Sequence, residues 1–141
     1  MARSKREVAD RLHSSAIHLL RRLREVDAES GIGPGRLSAL SVLIFRGPAS
    51  VRELADIEMV RPPTMSEIIH GLEAGGLASK SPNPKDARGV IVRATSRGER
   101  LLQAARSRRI DGFESILAQA KPHELKTLDE AGAILERLLQ Q

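Results

Sequence analysis

Asp86 and Arg88 stand two residues apart in the stretch Asn83-Pro84-Lys85-Asp86-Ala87-Arg88-Gly89, directly before the β-branched run Val90-Ile91-Val92. Three kinds of chemistry use such a pair: a catalytic acid with a helper cation, an anion-binding loop, or a charged hairpin tip aimed at a partner. Proton transfer needs a carboxylate whose pKa is tuned by burial and neighbours, and a tip this rich in charge is a poor place to raise one. No glycine-rich phosphate-loop spacing occurs elsewhere. The four histidines, His13, His18, His70 and His123, are scattered. His13 and His18 lie five apart, so they do not share a helix face as paired metal ligands would. With no cysteine in the chain, disulfides, thiolate zinc sites and thiol redox sensing are excluded. The expectation is a protein without a catalytic site, a metal or a cofactor.

The charge map points to the third option. The chain is 141 residues long with a formal net charge of +5. Residues 1–79 are nearly balanced at +1, and residues 110–141 sum to −3. Residues 80–109 carry nine basic and two acidic residues, a net +7. A cationic character this local reads as a site for a polyanion, with nucleic acid first. Arg3, Lys5 and Arg6 are not followed by the apolar core of a signal peptide. The densest apolar stretch, Leu37 to Phe45, is too short to cross a bilayer. A soluble cytoplasmic protein with no membrane partner is expected.

The elements that must position the charged segment follow from periodicity. Val8, Leu12, Ala16, Leu19, Leu20, Leu23 and Val26 fall three and four apart and predict a helix over 7–29. Pro34 opens a second helix, carrying Leu37, Leu40, Leu43 and Ile44, which Gly47-Pro48 ends. Ser50 and Glu53 have capping-box spacing before Leu54, Ala55 and Ile57. After a turn at 58–61, Pro62-Pro63 starts a helix whose Met65, Ile68, Ile69 and Leu72 form an apolar stripe. Thr64 and Glu67 offer a further capping box. Gly75-Gly76 stops this helix. Residues 77–81 and 89–94 predict two strands joined by a turn at 82–88. Ser96 and Glu99 open a long helix to about Leu117, and Lys121-Pro122 separates it from a last one. The apolar stripes at the two ends need a partner chain to cover them. The fold class is mainly α with a small β-hairpin.

Two short helices joined by a tight turn can be a helix-turn-helix, whose second helix enters the major groove, or an αα-hairpin that only packs a core. The basic hairpin that follows at once favours the former and makes the unit a winged helix. The sequence resembles the MarR family of transcriptional regulators. The matching residues are Leu54-Ala55, Pro63-Thr64-Met65-Ser66, Ile68-Ile69, Leu72-Glu73, Gly76-Leu77 and the D-x-R of Asp86-Ala87-Arg88. Thr95 and Gly98 fit the end of that signature, although Ala94 stands where the family has Leu.

The resemblance implies a homodimer. Residues 1–30 and 96–141 would form a helical dimerisation region. Residues 31–95 would form the winged helix-turn-helix, with the recognition helix at about 62–75 and the wing at about 77–94. It implies a regulator, a repressor in this reading, that binds a pseudo-palindromic double-stranded promoter site and answers to an unidentified small-molecule effector. The scarcity of aromatics argues against a stacked planar aromatic effector. The candidate DNA-binding residues around the recognition helix are Arg61, Pro62, Pro63, Thr64, Ser66, Glu67 and His70. In the wing and for the backbone they are Arg36, Lys80, Lys85, Asp86, Arg88 and Arg93. Arg88 is suited to a narrow minor groove; Asp86 either orients it or holds the loop's shape. The recognition helix has no Lys or Arg from Thr64 to Ala74, where many members carry them at the positions of Glu67 and Gly71. Glu67 either accepts a bond from cytosine N4 or caps the helix start. The alternative function is a winged-helix module that binds protein rather than DNA.

Overall fold

The computed structural model describes residues 3–140. The outermost residues of both expected dimerisation segments, 1–2 and 141, fall outside that range. Helix α1, Lys5–Asp27, begins earlier than its apolar stripe predicts because Ser4 and Glu7 form a reciprocal capping box. The Glu7 carboxylate accepts the Ser4 N–H at 2.7 Å, and the Ser4 hydroxyl accepts the Glu7 N–H at 3.3 Å. These bonds satisfy donors that the first turn leaves orphaned. The chain then tightens into a 3₁₀ turn at Ala28–Ser30 and reverses at Gly31, whose φ of 76° suits glycine.

Helix α2, Pro34–Phe45, is the central element, with Leu37, Ala39, Leu40 and Leu43 buried. Helix α3, Val51–Glu58, carries the expected Ser50–Glu53 capping box. Helix α4, Pro62–Ala74, starts two residues before Thr64, with Arg61 as N-cap and no side-chain cap. The Thr64–Glu67 box expected from spacing therefore does not form. The prolines explain why: Pro62 and Pro63 have no N–H, so two of the orphan donors a cap would satisfy do not exist.

Strands β1, Ala78–Asn83, and β2, Asp86–Ala94, form one antiparallel hairpin. Its ladder runs further toward the tip than the predicted turn at 82–88 allows. A single residue ahead of α3 joins it as an isolated bridge: Ala49 and Val92 exchange both backbone hydrogen bonds, at 3.1 and 2.8 Å. Helix α5, Ser96–Leu117, is capped by Thr95, one residue before the expected Ser96. Helix α6 spans Pro122–Leu139.

The core lies within the winged unit. Leu40, Leu54, Met65, Ile69, Leu72 and Val92 are its largest fully buried side chains. Leu102 and Ala105 are the part of α5 that reaches it. The ends are different: α1 buries only Asp27, and α6 buries no residue. Val8, Leu12, Leu20, Ile110, Leu128, Ile134 and Leu138 are all exposed, which leaves the apolar stripes of both termini uncovered.

The start of α5 is seated on the end of α4. The Thr95 hydroxyl donates to the Gly76 carbonyl at 2.6 Å and accepts the Gly98 N–H at 3.1 Å, while the Thr95 N–H donates to the Leu77 carbonyl at 3.0 Å. A Cβ on Gly98 would collide with that same Leu77 carbonyl oxygen. The obstacle is backbone and cannot swing aside. Gly98→Ala is therefore expected to destabilise the fold. Overpacking costs roughly 1–3 kcal/mol and the gain in helix propensity returns about 1 kcal/mol; because the obstacle is backbone, the net loss is expected toward the upper end, about 2 kcal/mol. Urea unfolding checks it, and an unchanged midpoint would mean that α5 can draw back from Leu77 freely.

Candidate nucleic-acid interface

Helices α3 and α4 are joined by Met59, Val60 and Arg61. Met59 adopts a left-handed φ of 53° that stops α3, and its side chain is 90% exposed. This residue was not among the sequence candidates; its left-handed conformation carries no signature in a methionine. The Glu58 carboxylate accepts the Ser38 hydroxyl at 2.7 Å, tying the end of α3 to α2. Across the turn, Met65, Ile69 and Leu72 anchor α4 in the core. Arg61, Pro62, Pro63, Thr64, Ser66, Glu67 and His70 are all exposed. One helix thus separates a buried apolar face from a polar face that holds every recognition-helix candidate. Glu67 lies in the second turn, too far along to cap the start, and it is exposed.

The wing tip is built by two side chains that fold back on their own backbone. Asn83 Oδ1 accepts the Lys85 N–H at 3.0 Å, and Asp86 Oδ1 accepts the Arg88 N–H at 3.0 Å. Such bonds mimic a backbone turn and hold Pro84-Lys85 as a two-residue reversal. Pro82 pairs with Val90 but Asn83 with Asp86, so Ala87, Arg88 and Gly89 have no partner on β1. This bulge absorbs the residues that spacing assigns to a longer turn. Asp86 therefore holds the loop's shape: its carboxylate binds the Arg88 backbone, and the Arg88 side chain is exposed. Lys85 is exposed at the tip as well.

The other basic candidates divide between the two faces of the wing. Lys80 faces Val92 across the ladder, and its ammonium pairs with Glu73 of α4 at 3.2 Å. Arg93 is one residue on, so it projects to the opposite face. It lies with Pro48 and Glu99 around a shallow groove to which α4 does not contribute. The structure thus joins Lys80 to α4 and places Arg93 away from it. Arg36, at the start of α2, lies across α4 at Gly71: a Cβ there would overlap Nε, Cζ and Nη2 of the guanidinium. The sequence signal for this contact is a glycine inside a helix, where it costs about 1 kcal/mol relative to Ala.

A second cluster lies between α1 and α5. Arg109 donates to both carboxylate oxygens of Asp27, at 2.6 and 2.5 Å. Asp27 is only 7% exposed. Its hydrogen bonds hold the Arg109 guanidinium above its ordinary pKa, against the opposing effect of burial. The partners are 82 residues apart, and neither belongs to a local motif, so no sequence pattern announces them. Beside them, α2 and α5 enclose a pocket of about 260 Å³ lined by Leu37, Ser38, Phe45, Leu102, Arg106 and Arg109 among others. Among the described residues no group of three or more His, Asp or Glu side chains is placed to hold a metal ion, and no helix is long and apolar enough to cross a membrane.

The comparisons with known proteins agree with this geometry. The MarR family model matches residues 33–90, from the start of α2 to the wing. An HTH-type transcriptional regulator of Mycobacterium tuberculosis is 31% identical over 141 residues, covering 100% of this chain and 99% of its own. The chain belongs to the MarR family. Among solved structures, a transcriptional regulator from Thermotoga maritima superposes with a TM-score of 0.81 at 25% identity, over 97% of this chain and 99% of that one. A mutant MarR from E. coli, complexed with operator DNA, has the same fold, with a TM-score of 0.66 at 20% identity over 94% of each chain. As a member of the MarR family, this chain is a DNA-binding transcriptional regulator with a winged helix.

The tip geometry separates the two residues of the D-x-R signature. Arg88→Ala removes an exposed cation and is expected to weaken DNA binding about tenfold or more with little change in melting temperature. Asp86→Ala removes an acceptor from the backbone, at a cost of about 1 kcal/mol, and weakens binding only through a looser tip. Affinity and melting measured on the two variants check this. An Arg88→Ala protein with wild-type affinity would take that guanidinium out of the interface.

Proposed function

We propose that this regulator is a ligand-responsive repressor that binds a pseudo-palindromic promoter site as a homodimer. In this reading residues 31–95 are the DNA-binding unit, and residues 1–30 and 96–141 dimerise. The observation that carries it is the placement of one exposed polar face, Thr64 to His70, beside a wing whose surrounding segment holds a net +7 charge. A polar helix face can read base edges in the major groove, and cations around it bind phosphates without reading sequence. Arg88, exposed on the wing bulge, suits the minor groove next to it. The operator complex of the E. coli protein of the same fold supports DNA as the partner.

The uncovered apolar stripes of α1, α5 and α6 support the dimer. A two-fold dimer presents two recognition helices to two half-sites about 34 Å apart, one turn of B-DNA. Occlusion of a promoter by such a dimer blocks polymerase. The pocket between α2 and α5 supports the ligand response, because it lies where the reading head meets the long helix. Its apolar wall and Arg106 suit a small molecule with an anionic group, Arg109 being already bonded to Asp27. A ligand that favours one spacing of the heads lowers the fraction able to span both half-sites.

Selection from a random duplex pool, followed by affinity at several salt concentrations, tests the reading. The expected result is a palindromic motif whose binding weakens steeply with salt, as release of counterions by several cations requires. Enrichment of no sequence would point instead to a protein-binding module. Light scattering is expected to give twice the 15.4 kDa chain mass. Leu138→Glu, in an exposed position of α6, should shift the protein toward monomer. A folded wild-type monomer at micromolar concentration would remove the dimer.

A further inference from the structure

The recognition helix is electrostatically ill suited to its partner. Residues 62–74 include Glu67 and Glu73 and no Lys or Arg, and duplex DNA is a polyanion. Two neighbouring elements bring cations to this helix. Lys80 reaches it from β1 and is spent on Glu73, at 3.2 Å. Arg36 reaches it from α2, and its guanidinium occupies the space that a side chain at position 71 would fill. Among the described residues Arg36 makes no ion pair with a carboxylate, and it is exposed. Beside it α2 packs on α4, with Ile68 Cδ1 at ordinary contact distance, 3.5 Å, from where a Cβ on Gly35 would stand.

We propose that Gly71 is a positioning residue that seats Arg36 on the recognition helix, so that Arg36 supplies to a DNA phosphate the cation this helix lacks. A guanidinium lying flat on a helix backbone keeps its outer N–H donors free, and an oxyanion is the ligand those donors match. Gly71 lies four residues after Glu67, so the seat is on the same helix face, about one turn along. The phosphate contact fixes the helix in its groove and carries no sequence information. A Cβ at position 71 would meet the Arg36 guanidinium first, its three nearest neighbours all being atoms of that group. This inference rests on the DNA-binding reading above.

The test uses full-length protein and a duplex selected with the wild type. Arg36→Ala is expected to weaken binding about tenfold and to lower the slope of log affinity against log salt by about one. Arg36→Lys should keep the slope and lose part of the affinity. Gly71→Ala is expected to match Arg36→Ala in affinity and slope while melting at or above the wild-type temperature, since Ala is the better helix former. The double variant should bind no worse than either single one, because both remove one contact. A Gly71→Ala protein that binds as tightly as wild type, or a double variant whose loss is the product of the two single losses, overturns the seat and leaves the DNA-binding reading intact. If the wild type itself enriches no duplex, the DNA-binding reading falls and the seat with it.

Discussion

The seating of α5 on the carbonyls of Gly76 and Leu77 is the constraint that the rest of the molecule depends on. Three parts converge there: the end of the recognition helix, the return strand of the wing and the start of the longest connecting helix. Thr95 serves all three, through its backbone N–H and both capacities of its hydroxyl. Gly98 permits the approach because it has no side chain to intrude. The direction in which α5 leaves the reading head is thereby fixed, and with it the direction in which a partner would be met. Thr95 and Gly98 touch neither the exposed face of α4 nor the wing tip. They lie behind the interface and hold its parts in one frame.

Charge is distributed by the same logic. The segment with the largest positive excess does not include the helix that would enter the groove. Its cations are spread over a hairpin and the first turns of α5, and several are already engaged: Lys80 with Glu73, Arg109 with Asp27. Exposed ion pairs contribute little to stability, about 0–1 kcal/mol. The Lys80–Glu73 pair matters more for removing a negative charge from the edge of the recognition helix. The Asp27–Arg109 pair is of another kind. Asp27 is almost fully out of water, and a carboxylate there is tolerable because both its oxygens are bonded. It clamps the terminal helix to the connecting helix rather than contributing to the surface potential.

The sequence made the helical stripes, the hairpin and the winged unit legible because each rests on local periodicity or on turn residues a few positions apart. It misplaced details wherever a side chain bonded its own backbone. Asn83 and Asp86 shorten the turn to two residues, and Ser4 with Glu7 starts α1 early. The prolines at 62 and 63 remove the need for the cap whose spacing Thr64 and Glu67 have. Of the candidate site, the exposed face of α4 was readable as the complement of its apolar stripe. The division of Lys80 from Arg93 was not, since it depends on the register of the hairpin. Nor was the contact of Asp27 with Arg109, which joins residues far apart along the chain; of the contact of Arg36 with Gly71 only one half left a sign, the glycine inside a helix, and its partner did not.

The Asp27–Arg109 clasp also orders events during synthesis. Its halves are separated by 82 residues, and at ribosomal rates of roughly 5–20 residues per second the second half follows the first by about 4–16 s. Folding steps within the intervening unit take far less time, with helices forming in about a microsecond and hairpins in about ten. Helices α2 to α4 and the hairpin can therefore form while α1 still waits, an amphipathic helix with nothing to lean on, until α5 emerges to complete the core with Leu102 and Ala105 and to receive α1 at Arg109. Assembly runs from the middle of the chain outward, and the exposed apolar stripes of the terminal helices are the last surfaces to take shape.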